Sequence, residues 1–186
     1  MASVCHFGSF GPAAIAHLFV SRLPSMPKLL HSTSDITGRD YTAFLEVACK
    51  HFASFSLVWR KGLPYDQTRH AVGYDLRRHE CQKRQGSCWP GTQLFGGSET
   101  IITYDLNADT RRVLSGPGSL FGWLSPKFPE DLAFYLKNGR CGFASVAHEG
   151  LAWILDMEFA LALPNTYGFS EETMPEKEYT MFDCVG

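Results

Sequence analysis

Apolar and polar residues alternate along several short stretches in the two-residue rhythm of β-strands. In residues 54–60, Phe55, Leu57 and Trp59 alternate with Ser54, Ser56 and Val58, and residues 98–105 repeat the pattern with Ile102 and Tyr104. Successive side chains of a strand point to opposite faces, so each stretch predicts a strand with one face turned towards a core.

The dipeptide Asn138-Gly139 lies between two apolar runs and predicts a β-hairpin, because both residues tolerate the positive φ of a tight turn. A two-residue turn would place Phe134 opposite Phe143 and Leu136 opposite Cys141. After the hairpin, Gly150 suits a second turn. The strands predicted here cover residues 131–137, 140–147 and 151–157.

Helical spacing of apolar residues predicts a helix that begins near Thr37 or Asp40 and continues to Phe52. A second helix is predicted over residues 65–84, and a short third helix is predicted to begin at Asn107. The expected fold class is therefore α+β: a single domain with a mostly antiparallel sheet and two or three helices packed on one face.

Three segments are expected in the chain. Residues 1–34 are predicted to be a disordered or non-native extension, because they contain no acidic residue and only one apolar patch, Ala13 to Val20. Residues 35–163 hold the α+β domain. Residues 164–186 predict an irregular acidic tail that contains Pro164 and Pro175.

Composition narrows the expected classes of protein. The 186 residues are 45% hydrophobic, enough for one core, and contain no apolar run of membrane-spanning length. The net charge of −2 argues against nucleic-acid binding by bulk charge, although residues 35–88 carry a balance of +3 and residues 89–186 one of −7. Six cysteines without a CxxC motif suggest reduced thiols and a cytoplasmic protein.

Two groups of residues offer candidate chemistry. His148 and Glu149 end a predicted strand and are the candidate catalytic pair, although the same residues suit a turn between strands. His79, Cys81 and Cys88 are alternative metal ligands, but their spacing, H-x-C-x6-C, matches no common zinc site. We expect no cofactor, since the chain has no phosphate-binding glycine motif, nucleophile elbow or HExxH motif.

Aromatic residues form the third group of candidates. Trp89, Phe121 and Trp123 lie in segments rich in glycine and proline, where they could anchor a protein partner or cover the edge of the core. Tyr135 is expected on a strand face whose other side chains are small, so a ligand could approach the sheet there.

Two stretches, "SCWPGTQL" and "FPEDLAFYLKNGRCGFASVAHEG", carry a resemblance to other proteins. The shared motifs are Trp89 to Thr92, Pro129 to Leu132 and Ala147 to Glu149. With these motifs, residues 89–150 resemble a group of small uncharacterised bacterial proteins. The resemblance implies a compact α+β domain and implies no activity.

These observations lead to three hypotheses of function. The first is a non-enzymatic, cytoplasmic protein-binding domain, for example a bacterial immunity protein that neutralises a toxin or effector. The second is a small hydrolase or metal-dependent enzyme that uses His148 and Glu149. The third, nucleic-acid binding through the basic helix at 65–84, is disfavoured by the acidic residues interleaved with its arginines. The sequence predicts no membrane partner and leaves the oligomeric state open.

Overall fold

The computed structural model describes residues 28–64, 66–175 and 179–183. The helices and strands follow one another in this order: β1 (Lys28–Ser32), α1 (Gly38–His51), β2 (Ser54–Trp59), α2 (Gln67–Leu76), β3 (Glu80–Gly86), β4 (Cys88–Trp89), β5 (Thr92–Gln93), β6 (Glu99–Asp105), α3 (Ala108–Leu114), β7 (Glu130–Tyr135), β8 (Cys141–Val146), β9 (Leu151–Ile154), α4 (Met157–Ala162) and β10 (Ser170–Thr173).

Eight strands form one sheet in the order β10-β1-β9-β8-β7-β2-β6-β3, and each neighbouring pair is antiparallel. Strands β4 and β5 form a separate two-stranded hairpin. The predicted α+β class with a mostly antiparallel sheet is confirmed, and so are the five predicted strands, β2, β6, β7, β8 and β9. None of the helices in the described ranges is long and apolar enough to cross a membrane.

The main core lies on one sheet face, which is covered by the four α-helices of the described ranges, where two or three were predicted. Phe44 of α1 contacts Phe143 of β8 edge to face at 5.1 Å between ring centroids, and Phe159 of α4 at 5.5 Å. Apolar residues of α2 and α3 join the same cluster. Burial of these large aromatic rings from α1, β8 and α4 stabilises this side of the sheet.

The other face of the sheet is covered by chain segments that are not α-helical. Trp153 of β9 packs against Phe182 near the end of the described chain, at 5.4 Å between ring centroids. Trp89 packs against Val58 and Ile101. Both faces of the sheet are therefore covered at its central strands, which explains why β7 and β8 are buried along their whole length.

The second helix is shorter than predicted. It begins with Asp66 as N-cap, whose side chain accepts from Thr68 N–H, and it ends at Leu76. Residues 80–86 instead form the edge strand β3, which pairs with β6. The polar sequence of β3 has no strand periodicity. It forms a strand because it pairs with β6, and not because its local sequence favours one.

The domain begins earlier and ends later than the sequence predicted. β1 lies inside the sheet between β9 and β10, and its Leu29 is buried. Part of the expected irregular tail forms β10. The boundaries predicted at residues 34–35 and 163–164 are corrected accordingly, while the part of the predicted extension before Lys28 lies outside the described residues.

The hairpin at Asn138-Gly139 forms, with a turn one residue longer than predicted. Leu136 and Arg140 are hydrogen-bonded across it, and Gly139 has φ 82. Phe134 pairs with Phe143 as predicted, but a register shift pairs Tyr135 with Cys141. Cys141 consequently lies on the face of Tyr135, opposite to the prediction.

Gly142 then takes the position against the helices. A Cβ at Gly142 would collide with the Phe52 ring, so any larger residue there would force the ring to shift.

Candidate metal centre

Two adjacent acidic residues, Glu130 and Asp131, begin β7 and are both buried. On a regular strand they would point to opposite faces. The pairing of β2 with β7 is irregular between Ser56 and Val58, and Asp131 has a left-handed backbone with φ 55. This β-bulge redirects the side chains, so that both carboxylates approach His148.

Two hydrogen-bond donors hold Asp131 in place. The indole Nε1–H of buried Trp89 donates to Oδ2 at 2.8 Å, and the backbone N–H of Ala147 donates to Oδ1 at 3.3 Å. Aspartate is among the residues that tolerate the left-handed region best. The buried hydrogen bonds compensate the cost of this backbone conformation and of removing the carboxylate from water.

Glu130 lies in a network of charged groups. Its Oε1 accepts from Ser125 N–H at 3.3 Å, and its Oε2 lies 3.5 Å from the Arg60 guanidinium. The same guanidinium lies 3.3 Å from Glu99, at the start of β6. One arginine thus neutralises charge on two largely buried carboxylates at this end of the sheet.

His148 lies on the single 3-10 turn Ala147–Glu149, which joins β8 to β9 and is closed by Gly150 at φ 65. The predicted turn between two strands is confirmed. Nδ1 of His148 lies 3.7 Å from Asp131 Oδ1 and 4.0 Å from Glu130 Oε2. The Asp131 carboxylate raises the pKa of His148 above its ordinary value of 6.5; Glu130 and Glu149 add to this, and partial burial opposes it.

These three side chains bring potential metal ligands together. One ligand atom from each lies within 4.8 Å of the others. Ligand atoms that surround a tetrahedral ion at about 2.1 Å lie about 3.4 Å from one another. The two distances from His148 Nδ1 are longer than this, so the three side chains would have to move closer together to bind an ion. One imidazole nitrogen and two carboxylates suit zinc or manganese.

Of the predicted pair His148 and Glu149, only His148 belongs to the cluster of three potential ligands. Glu149 is exposed, and its Oε1 lies 3.8 Å from His148 Nε2, away from the buried carboxylates. Glu130 and Asp131 were not predicted as site residues, although they belong to a motif at the start of a predicted strand. Two adjacent acids that open an otherwise apolar strand are the signal that could have identified them.

The structure does not assemble the alternative metal ligands His79, Cys81 and Cys88. Nδ1 of His79 lies 3.2 Å from the side-chain amide of Asn107, and the thiol of Cys81 donates to Asp105 at 3.1 Å. Burial and Asp105 raise the pKa of Cys81 to about 11, which disfavours a thiolate ligand. Cys88 is disulfide-bonded and has no thiol to offer, which also corrects the expectation that all thiols are reduced.

Three of the four predicted binding aromatics are buried within the fold. Trp123 donates its indole N–H to Tyr41, and the hydroxyl groups of Tyr135 and Ser56 are hydrogen-bonded at 2.8 Å. Trp89 is the donor to Asp131. Phe121 is half-buried and packs against the main core. These residues stabilise the domain and do not offer anchors to a partner.

The three motifs singled out in the sequence meet at this centre. Trp89 of the first bonds to Asp131 of the second, and Asp131 lies beside His148 of the third. No protein-family model matches the chain, and neither a curated protein nor a solved structure matches it. The functional argument therefore rests on the geometry of the site.

Proposed function

We propose that Glu130, Asp131 and His148 bind one divalent transition-metal ion, and that the protein is a small metal-dependent enzyme of the hydrolytic type. One observation carries this proposal: a β-bulge with a left-handed aspartate brings two buried, adjacent carboxylates within reach of a half-exposed histidine. Unusual backbone conformations of this kind concentrate at functional sites.

The proposed chemistry follows from the ligand set. Three protein ligands leave at least one coordination position for water, as in catalytic zinc sites, where bound water has a pKa of about 7. The His148 side chain is 41% exposed, whereas the two carboxylates are buried. The open coordination position would therefore face solvent on the His148 side, where a substrate can approach.

Hydrogen bonds to the two carboxylates from neighbouring groups would orient them as metal ligands. Trp89 and the Ala147 N–H hold Asp131, and Ser125 N–H holds Glu130. Hydrogen bonds of this kind fix the direction of ligand lone pairs and tune affinity for the metal. Arg60 limits the negative charge of the centre and would favour a divalent over a trivalent ion.

The protein-binding hypothesis, with a toxin or effector as partner, is a less supported alternative. It rested on small size, the absence of a catalytic motif, uneven charge and loop aromatics. Of the aromatic anchors, Trp89, Trp123 and Tyr135 are buried. A partner would have to bind elsewhere on the surface.

Metal binding tests the proposal directly. Metal-stripped protein is titrated with Zn²⁺ and with Mn²⁺ by isothermal calorimetry, and we expect saturable binding of one ion per chain. His148→Ala and Glu130→Gln each remove a ligand, so affinity should fall by more than the roughly 10–100-fold typical of outer contacts. Glu149→Gln is the matched control, because it removes the exposed neighbouring carboxylate and leaves the three ligands.

Hydrolysis of p-nitrophenyl acetate and p-nitrophenyl phosphate by the metal-loaded protein then tests the enzymatic part. We expect turnover that the chelator EDTA abolishes and that His148→Ala lacks. Absence of saturable binding, or equal affinity in all variants, would overturn the metal centre. Metal binding without metal-dependent turnover of these hydrolytic substrates would overturn the proposed enzymatic function.

A further inference from the structure

A separate, open cavity of about 720 Å³ lies at the surface between the end of α2 and α3, with exposed side chains in its walls. It is remote from the metal centre. β6 begins at Glu99 beside Arg60 and ends at Asp105 near the cavity, and a strand of this length spans about 20 Å. The volume falls within the range of small-molecule sites.

Three arginines line the cavity: Arg77, Arg78 and Arg112. Arg78 and Arg112 share the Asp109 carboxylate at 3.0 Å and 3.5 Å, which holds the two guanidinium groups near one another. Within the part of the chain that the structure describes, the Arg77 guanidinium has no ion-pair or hydrogen-bond partner. Its donors are available to a ligand.

Tyr74 forms the remaining distinctive part of the wall. Its side chain is 79% exposed, although tyrosine usually buries much of its ring. Within the described ranges its ring stacks on no other aromatic residue. An exposed ring beside a group of arginines offers a flat apolar face and a cationic surface to the same ligand.

We propose that this cavity binds a nucleotide, with its phosphate groups on Arg77 and Arg112 and its base stacked on Tyr74. Guanidinium groups match phosphate oxygens in pairs of hydrogen bonds, and every nucleobase has a face that stacks on an aromatic ring. Two acids also line the cavity, Asp75 and Asp109. Three guanidinium groups and two carboxylates leave an excess of one positive charge at the lining.

Calorimetric titration with ADP, pyrophosphate and adenosine separates the phosphate contact from the base contact. Metal-free buffer ensures that no metal ion at Glu130, Asp131 and His148 contributes to the measured heat. We expect ADP to bind most tightly. Arg77→Ala should weaken both ADP and pyrophosphate about tenfold or more, because it removes a charge-assisted hydrogen-bond donor. Tyr74→Leu should weaken ADP about tenfold and leave pyrophosphate unchanged.

Arg39→Ala is the matched control, because Arg39 is an exposed arginine of α1 outside the cavity. Its affinity for ADP should equal that of the unaltered protein. Three results would each overturn the proposal: no binding of ADP at millimolar concentration, equal affinity for ADP and pyrophosphate, or equal loss in Arg39→Ala and Arg77→Ala. The proposal is independent of metal binding at His148.

Discussion

Replacement of Asp131 tests how the β-bulge at the metal centre is stabilised. The carboxylate accepts hydrogen bonds from Trp89 Nε1–H and Ala147 N–H, and both donors are buried. Asp131→Ala leaves both donors without a partner. At about 1–3 kcal/mol for each unsatisfied buried group, the free energy of unfolding should fall by about 2–6 kcal/mol.

Two further variants separate the hydrogen bonds from the backbone strain. Asp131→Asn keeps one carbonyl oxygen for two donors and should lose about 1–3 kcal/mol. Asp131→Gly loses both hydrogen bonds but adopts φ 55 without strain, whereas alanine pays about 1–2 kcal/mol there. After the greater chain entropy of unfolded glycine is subtracted, Asp131→Gly should be more stable than Asp131→Ala by about 1 kcal/mol.

Urea denaturation of the metal-free proteins, followed by tryptophan fluorescence, measures the free energy of unfolding of the wild type and the three variants. The expected order of stability is wild type, Asp131→Asn, Asp131→Gly and Asp131→Ala, with an unchanged m-value. Asp131→Ala as stable as the wild type would refute the role of the hydrogen bonds. Asp131→Gly no more stable than Asp131→Ala would refute the contribution of the left-handed backbone.

Three other predictions concern the rest of the fold. Gly142→Ala should lose about 1–3 kcal/mol by overpacking against Phe52, and the loss should shrink in the double variant with Phe52→Leu, as a double-mutant cycle in urea would show. Asn107→Ala removes the capping box of α3 and should lower the free energy of unfolding by about 1 kcal/mol, whereas unchanged thermal stability would contradict that role. Burial raises the pKa of Asp156, but hydrogen bonds from Phe159 N–H and His51 lower it more, so its net pKa lies below 3.8. Asp156 therefore contributes stability above pH 3.8 that is lost as the pH falls through its folded pKa, and the stability difference between wild type and Asp156→Asn should shrink over that interval in acid denaturation.

The sequence predicts elements well where local pattern and tertiary environment agree. Five strands with alternating or wholly apolar residues, the first helix and the cap at Asn107 all form as expected. The failure at β3 has the opposite cause. Its residues are polar and follow a helix without a stop signal, and only pairing with β6 makes them a strand.

The candidate centre could be predicted only in part. His148 was recognisable because histidine ends a strand next to a glycine turn. Its association with Glu130 and Asp131 depends on a bulge in β7, and a register shift between strands leaves no mark in local spacing. The displacement of Cys141 to the other face has the same physical origin.

The two outer strands of the sheet bear on how this protein behaves at high concentration. Among the described residues no further strand pairs with the outer edge of β3 or β10, and such an edge can recruit a strand from another chain. β10 carries Glu171 and Glu172, and β3 carries Glu80 and Lys83, with all four side chains exposed. A ninth strand would have to remove these ionic groups from water, so the charged edges protect the folded chain from aggregation by strand addition.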